Sequence, residues 1–143
     1  MNKILIIGET SFVASKTIEG LSSMGKKIIV PPLNELDITN INSIESFTDR
    51  NDFDTVVNFA AFTNVKEATL DPNGLPWKLN VEAAGNVAQV CKKKDKFLIH
   101  ISTDSVFPIP DNFKGPHTET EEIKDDPVCL ALMVTQNLKV RWK

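Results

Sequence analysis

Three short stretches of this 143-residue chain set small, hydroxylated and polar side chains at spacings that could do chemistry. The first is Gly8-Glu9-Thr10-Ser11-Phe12-Val13-Ala14. A glycine that closes an apolar run and leads into a helix start is the pattern of a phosphate-holding turn. There, backbone N–H groups and the positive end of a helix dipole face the anion. Of the small residues in a GxxGxxG spacing only Gly8 is glycine, with Ser11 and Ala14 in the other two places. Ala14 permits close helix packing, Ser11 must tolerate the turn, and Glu9 adds a negative charge beside a would-be phosphate. A plain strand-to-helix turn without a ligand explains the motif about as well.

The second stretch is Asn58-Phe59-Ala60-Ala61-Phe62-Thr63, where two alanines leave room for a flat ring to approach the backbone. The third is His100-Ile101-Ser102-Thr103-Asp104-Ser105-Val106-Phe107. A fourth candidate is Asp37, a polar group for the neighbourhood of an adenine, whose bland reading is a turn or capping acid. The place where an acid would grip an adenosine ribose holds Pro31 and Pro32 instead, so neither NAD nor NADP is favoured.

These stretches need elements to hold them. Lys3 to Ile7 is a run of strand formers that suits a strand buried on both faces. Residues 11–24 follow with Phe12, Val13, Ile18, Leu21 and Met24 at roughly helical spacing and Gly25 as a C-cap. Residues 27–30 read as a second strand stopped by two prolines, and 40–47 as a short helix opening on Asn40. Residues 54–59 make a third strand, 75–93 a long helix with Leu79, Ala83, Val87 and Val90 on one stripe, and 97–102 a fourth strand. Strands alternating with helices predict a doubly wound α/β fold of the Rossmann type, with about four parallel strands and the three stretches at their carboxyl ends. Residues 108–127, rich in Pro, Asp and Glu, read as a surface loop.

Composition narrows the function classes. A net charge of -3 and no basic run beyond Lys92 to Lys94 argue against a nucleic-acid partner. The apolar stretch at Ile4 to Ile7 is too short for a signal peptide or a membrane span, which leads to a cytoplasmic reading without a membrane partner. Cys91 and Cys129 have no metal-ligand spacing, and Cys91 is expected to be a buried helix residue.

Taken together, ELDIT at 35–39, AAFTNV at 60–65, LNVEAAGNVA at 79–88 and HISTDSVF at 100–107 resemble the dTDP-4-dehydrorhamnose reductases, a branch of the extended short-chain dehydrogenases. The resemblance runs from Lys3 to about Pro127 and implies an NAD(P)-binding Rossmann-like domain over 1–127. It implies a cofactor, NADPH or NADH, and a substrate that is a dTDP-linked 4-keto hexose, reduced by hydride on the way to dTDP-rhamnose. Carried over by motif, Gly8, Ser11, Phe12 and Val13 would face the pyrophosphate, and Asp37 with Ile38 the adenine. Ala60, Ala61 and Phe62 would flank the ribose and nicotinamide, Thr63 would lie near the sugar, and Asn80 would stand behind the site. Thr103 matches the catalytic hydroxyl that works with a tyrosine and a lysine four residues later; a homodimer is open as an assembly.

The chain departs from that pattern. It contains no tyrosine, Ser105 stands where the family commonly has an aromatic, and Pro108-Ile109 stands for Asp-Gly. Residues 128–143 replace the expected Tyr-Gly-x-Ser-Lys helix. When the last base of each codon is regrouped with the first two of the next, Met133-Val134 forces glycine and Trp142-Lys143 forces glutamate. Leu132-Met133 then permits tyrosine, and Gln136-Asn137 allows only lysine or glutamate. The expectation is an out-of-frame tail after about Val128 and an inactive, truncated reductase. The alternative is a non-catalytic nucleotide-binding or regulatory protein of the same fold, similar to the regulatory subunit of methionine adenosyltransferase. With four strands, Val56, Val57, Leu98 and Ile101 are expected to lack apolar partners.

Overall fold

The computed structural model describes residues 3–102. In chain order the elements are β1 (Lys3–Ile7), α1 (Phe12–Ser23), β2 (Lys27–Ile29), α2 (Ile41–Arg50), β3 (Thr55–Asn58) and α3 (Val65–Leu70). They continue with α4 (Leu75–Trp77), a π-helical segment (Lys78–Ala83), α5 (Ala84–Lys93) and β4 (Phe97–His100). The strands form one parallel sheet in the order β2-β1-β3-β4.

Local chemistry sets the ends of these elements. α1 starts at Ser11, whose extended backbone lets its hydroxyl accept from the Ala14 N–H at 3.4 Å. It stops where Gly25 turns to φ +69: the Gly25 N–H reaches Ser22 O at 2.9 Å and the Lys26 N–H reaches Leu21 O at 3.0 Å. Those paired bonds satisfy the last carbonyls, and only glycine enters that turn without strain. α2 opens on Asn40, which accepts from the Asn42 N–H at 3.0 Å.

Helices cover both faces of the sheet, as the α/β reading expects. On one face α1 lays Ala14, Ile18 and Leu21 against Ile6, Val57 and Ile28. On the other, Ile44 and Phe47 of α2 and Val87, Val90 and Cys91 of α5 close over Leu5, Ile7 and Val56. Cys91 is buried there, and desolvation lifts its thiol to a pKa of about 11.

The structure departs from the sequence pattern in four places. Phe12, Val13 and Met24 are 77%, 56% and 70% exposed, because the first turn and the cap of α1 overhang the sheet. The helix expected over 75–93 changes at Lys78 to π-type turns and back at Ala84, placing Asn80, Ala83 and Ala84 together in the buried face. α3 is an added helix, capped reciprocally: Asn64 Oδ1 accepts from the Glu67 N–H at 3.3 Å, while Asn64 Nδ2 donates to Glu67 Oε1 at 2.7 Å. Finally, Val56 and Val57 are covered, at 2% and 7% exposure, because α5 and α1 lie over them from opposite faces. The apolar exposure falls on β4 and just beyond it, at Phe97, Ile99 and Ile101, with Leu98 half-buried.

Candidate functional site

The chain leaving β1 crosses to β2 on one side, and the chain leaving β3 crosses to β4 on the other. Loops that part in this way open a crevice at the carboxyl ends of the two central strands, where ligands of open α/β sheets bind. Gly8 and residues 59–63 stand there.

Gly8 has φ +90, and a β-carbon on it would lie 2.6 Å from Ala60 N and 2.9 Å from Phe59 C. Glycine is therefore required twice, by backbone conformation and by the close approach of the chain's own β3 end. The turn it opens is closed by the Ser11 N–H to Gly8 O at 3.0 Å. Ser11 caps α1, Phe12 and Val13 form the exposed first turn, and Ala14 is fully buried against the sheet. The backbone N–H groups of that first turn have no intrahelical partner, as at any helix start, and carry the positive end of the dipole.

The β3 loop is held at two points. The Phe59 N–H donates to Ile7 O at 2.9 Å, and the Ala60 N–H donates to Asn58 Oδ1 at 3.0 Å. Two residues on, Asn80 clips the Phe62 backbone: Oδ1 accepts from the Phe62 N–H at 2.7 Å and Nδ2 donates to Phe62 O at 3.0 Å. Asn80 is 1% exposed and sits in the π-helical segment, a local widening often found where a helix serves a site. Along this loop Ala60 is half-buried, while Ala61, between the anchors, and Thr63, just past them, are exposed.

Asp37 and Ile38 belong to the segment between β2 and α2. Asp37 Oδ1 accepts from both the N–H and the hydroxyl of Thr39, at 2.9 and 2.8 Å, which makes the side chain a turn former whose second oxygen is left over among the described residues. The Ile38 side chain belongs to the core, and its carbonyl accepts from Asn86 Nδ2 at 3.3 Å. An open groove of about 880 Å³ runs past Asp37, Thr39, Lys78, Glu82 and Asn86, but neither Gly8 nor Ala60 borders it. The crevice at the strand ends combines the glycine turn, the helix start and the pinned loop, and this groove has none of them.

Sequence reasoning missed a polar pair joining the ends of β3 and β4. Asn58 is fully buried and its Nδ2 lies 3.1 Å from Nδ1 of His100, its register partner on β4. The signal was a polar residue closing each of two apolar strands, TVVN and FLIH. Burial presses the His100 imidazole pKa down to about 4. Thr103, Ser105, Cys129, the loop at 108–127 and the tail at 128–143 lie outside the described residues. Among the described residues no three His, Cys, Asp or Glu side chains gather as metal ligands, and no helix is long and apolar enough to cross a membrane.

The family model of the RmlD substrate binding domain matches residues 1–127. The dTDP-4-dehydrorhamnose reductase of Aggregatibacter actinomycetemcomitans is 29% identical over 132 residues, covering 91% of this chain and 43% of that protein. The dTDP-4-dehydrorhamnose reductase structure from Clostridium acetobutylicum superposes with a TM-score of 0.80 at 27% identity, over 91% of this chain and 46% of the other. The Bacillus anthracis reductase, solved in complex with NADP, superposes with a TM-score of 0.69 at 28% identity, over 75% of this chain and 38% of the other. The chain thus spans less than half the length of these relatives.

Proposed function

The chain belongs to the RmlD substrate binding domain family, and from that premise we propose that residues 1–127 are the nicotinamide-dinucleotide domain of a sugar-nucleotide reductase. The observation that carries this reading is the seating of Gly8 against Ala60 at the point where the loops part. It sets a phosphate-sized turn and a helix start beside a loop of small residues. The NADP complex of the Bacillus anthracis reductase supports the same cofactor class, and the end of the family match at residue 127 supports a domain boundary there.

In this reading the start of α1 holds the pyrophosphate, Phe12 and Val13 with their N–H groups and Ser11 with its hydroxyl, and Gly8 gives it room. Asp37 and Ile38 stand toward the adenine, with the free oxygen of Asp37 and the Ile38 backbone as the groups on offer. Ala60, Ala61 and Phe62 flank the ribose and nicotinamide, and Asn80 serves by fixing Phe62. Bound NADPH or NADH would supply hydride for a 4-keto group of a dTDP-linked hexose. Thr63 lies toward that sugar, and the Thr103 hydroxyl orients its ketone oxygen. A homodimer and a cytoplasmic location complete the proposal.

The chain has no tyrosine, so its own residues offer no phenol to protonate a ketone oxygen. This one observation favours a second reading, dinucleotide binding without turnover. Calorimetric titration of NADPH and NADH into the chain tests what the readings share. One-site binding of either supports both, and no heat or protection up to millimolar cofactor overturns both.

A further inference from the structure

We infer that His100 is a positioning residue for the dinucleotide site, locked as the neutral Nε2–H imidazole, and that through Asn58 it fixes the Ala60 end of the loop. The inference rests on the proposed function for what that loop holds, and on hydrogen-bond geometry for the rest.

The geometry leaves one assignment of protons. A backbone N–H can only donate, so the Asn58 side-chain atom 3.0 Å from the Ala60 nitrogen must be the carbonyl oxygen, Oδ1. The other end of the amide is then the NH₂ group, which also only donates, and it faces His100 Nδ1 at 3.1 Å. Nδ1 must accept, which requires its lone pair. The ring is therefore neutral and its proton sits on Nε2. Burial favours the same uncharged form. Nε2 itself is buried and has no hydrogen-bond partner among the described residues.

The chain of contacts crosses three strand ends. His100 at the end of β4 orients Asn58 at the end of β3; Asn58 holds the Ala60 N–H; and Ala60 is the group against which Gly8 of the β1 turn is seated. Without an acceptor at position 100 the Asn58 amide can rotate, and Oδ1 leaves Ala60. Half-buried and in register with Asn58, His100 therefore acts on the crevice through that side chain.

The test compares the 143-residue chain with its His100→Asn and His100→Leu variants, well below their melting temperatures. Asn offers an acceptor oxygen on Cγ, in roughly the place of Nδ1, and Leu offers none. NADPH affinity is expected to fall about tenfold or more in His100→Leu and to return to within about threefold in His100→Asn. The amide NMR signals of Gly8 and Ala60 should shift in the Leu variant while that of Leu5 stays. In the unmodified chain the ¹⁵N spectrum of His100 should show protonated Nε2 and unprotonated Nδ1, a readout that needs no variant to fold. A protonated Nδ1, or equal NADPH affinity in all three proteins, overturns the inference and leaves the proposed function standing. Absence of NADPH binding by the unmodified chain overturns the proposed function and this inference with it.

Discussion

The Cα of Gly8 faces the backbone of Ala60 so closely that a β-carbon at position 8 would stand 2.6 Å from the Ala60 nitrogen. Real β-carbons do not approach backbone that closely, so any side chain there displaces the end of β3 or distorts the turn. The φ of +90 adds strain for every L-residue other than glycine.

Gly8→Ala should therefore destabilise the fold by about 3 kcal/mol, from roughly 1–2 kcal/mol of backbone strain and a comparable cost of overpacking. Urea unfolding followed by circular dichroism measures it. A midpoint equal to that of the unmodified chain would show that the two strand ends are not packed as described. Gly8→Val, which the sequence alone suggests as a test of pyrophosphate binding, confounds binding with folding. A Phe12→Pro change, removing one first-turn N–H while keeping a helix-compatible φ, asks the binding question more directly.

Asn80→Leu should loosen the loop without emptying the core. Leucine keeps asparagine's branching at Cγ, in a bulkier side chain, but it leaves the Phe62 N–H and carbonyl without their partner. An unsatisfied buried group costs about 1–3 kcal/mol. Native-state hydrogen exchange at the Phe62 amide should speed up by a factor of about 10 or more, while the Leu5 amide is unaffected. Unchanged protection at Phe62 would mean that Asn80 does not clip the loop.

Stability should fall on mild acidification through His100. Its pKa in the fold is about 4, against an ordinary value of 6.5, so the unfolded chain takes up a proton that the folded chain refuses. The contribution is complete above pH 6.5 and is lost as pH falls toward 4. Between pH 7.5 and 5 it amounts to about 2 kcal/mol. Urea midpoints at both values, for the unmodified chain and His100→Gln, isolate it: the unmodified chain should lose more. Equal losses would place His100 in solvent.

No reduction of dTDP-4-dehydrorhamnose by NADPH is expected from the 143-residue chain, because it contains no tyrosine to act as the acid. Turnover in the ordinary enzymatic range of about 1 to 1,000 per second, followed at the NADPH absorbance, would require another proton donor.

The strands and the doubly wound architecture were legible in the sequence because KILII and TVVN are short runs of strand formers set between helical patterns. The crevice was legible too, since Gly8 and the two alanines sit at strand ends. What Gly8 touches was not legible, because its neighbour lies 52 positions away and no spacing rule connects them. Asp37 presented one carboxylate to two readings, and only the geometry showed one oxygen engaged by Thr39. The π-helical turns escaped periodicity, which assumes a constant 3.6 residues per turn. α3 left a signal that was overlooked, the Asn64-x-x-Glu67 box.

The order β2-β1-β3-β4 also sets a timetable for synthesis. β1 is an inner strand, yet the partner on its far side, β3, begins at Thr55, so the first strand made waits for about fifty more residues to leave the ribosome. Until then the edge that carries Lys3 O and Ile7 O can pair with any passing strand, including that of another nascent chain. The Lys3 N–H to the Asp54 carboxylate, 3.3 Å, and the Asp54 N–H to Lys3 O, 3.0 Å, sit where that late pairing begins. They are placed to set the register of the incoming strand before its valines zip.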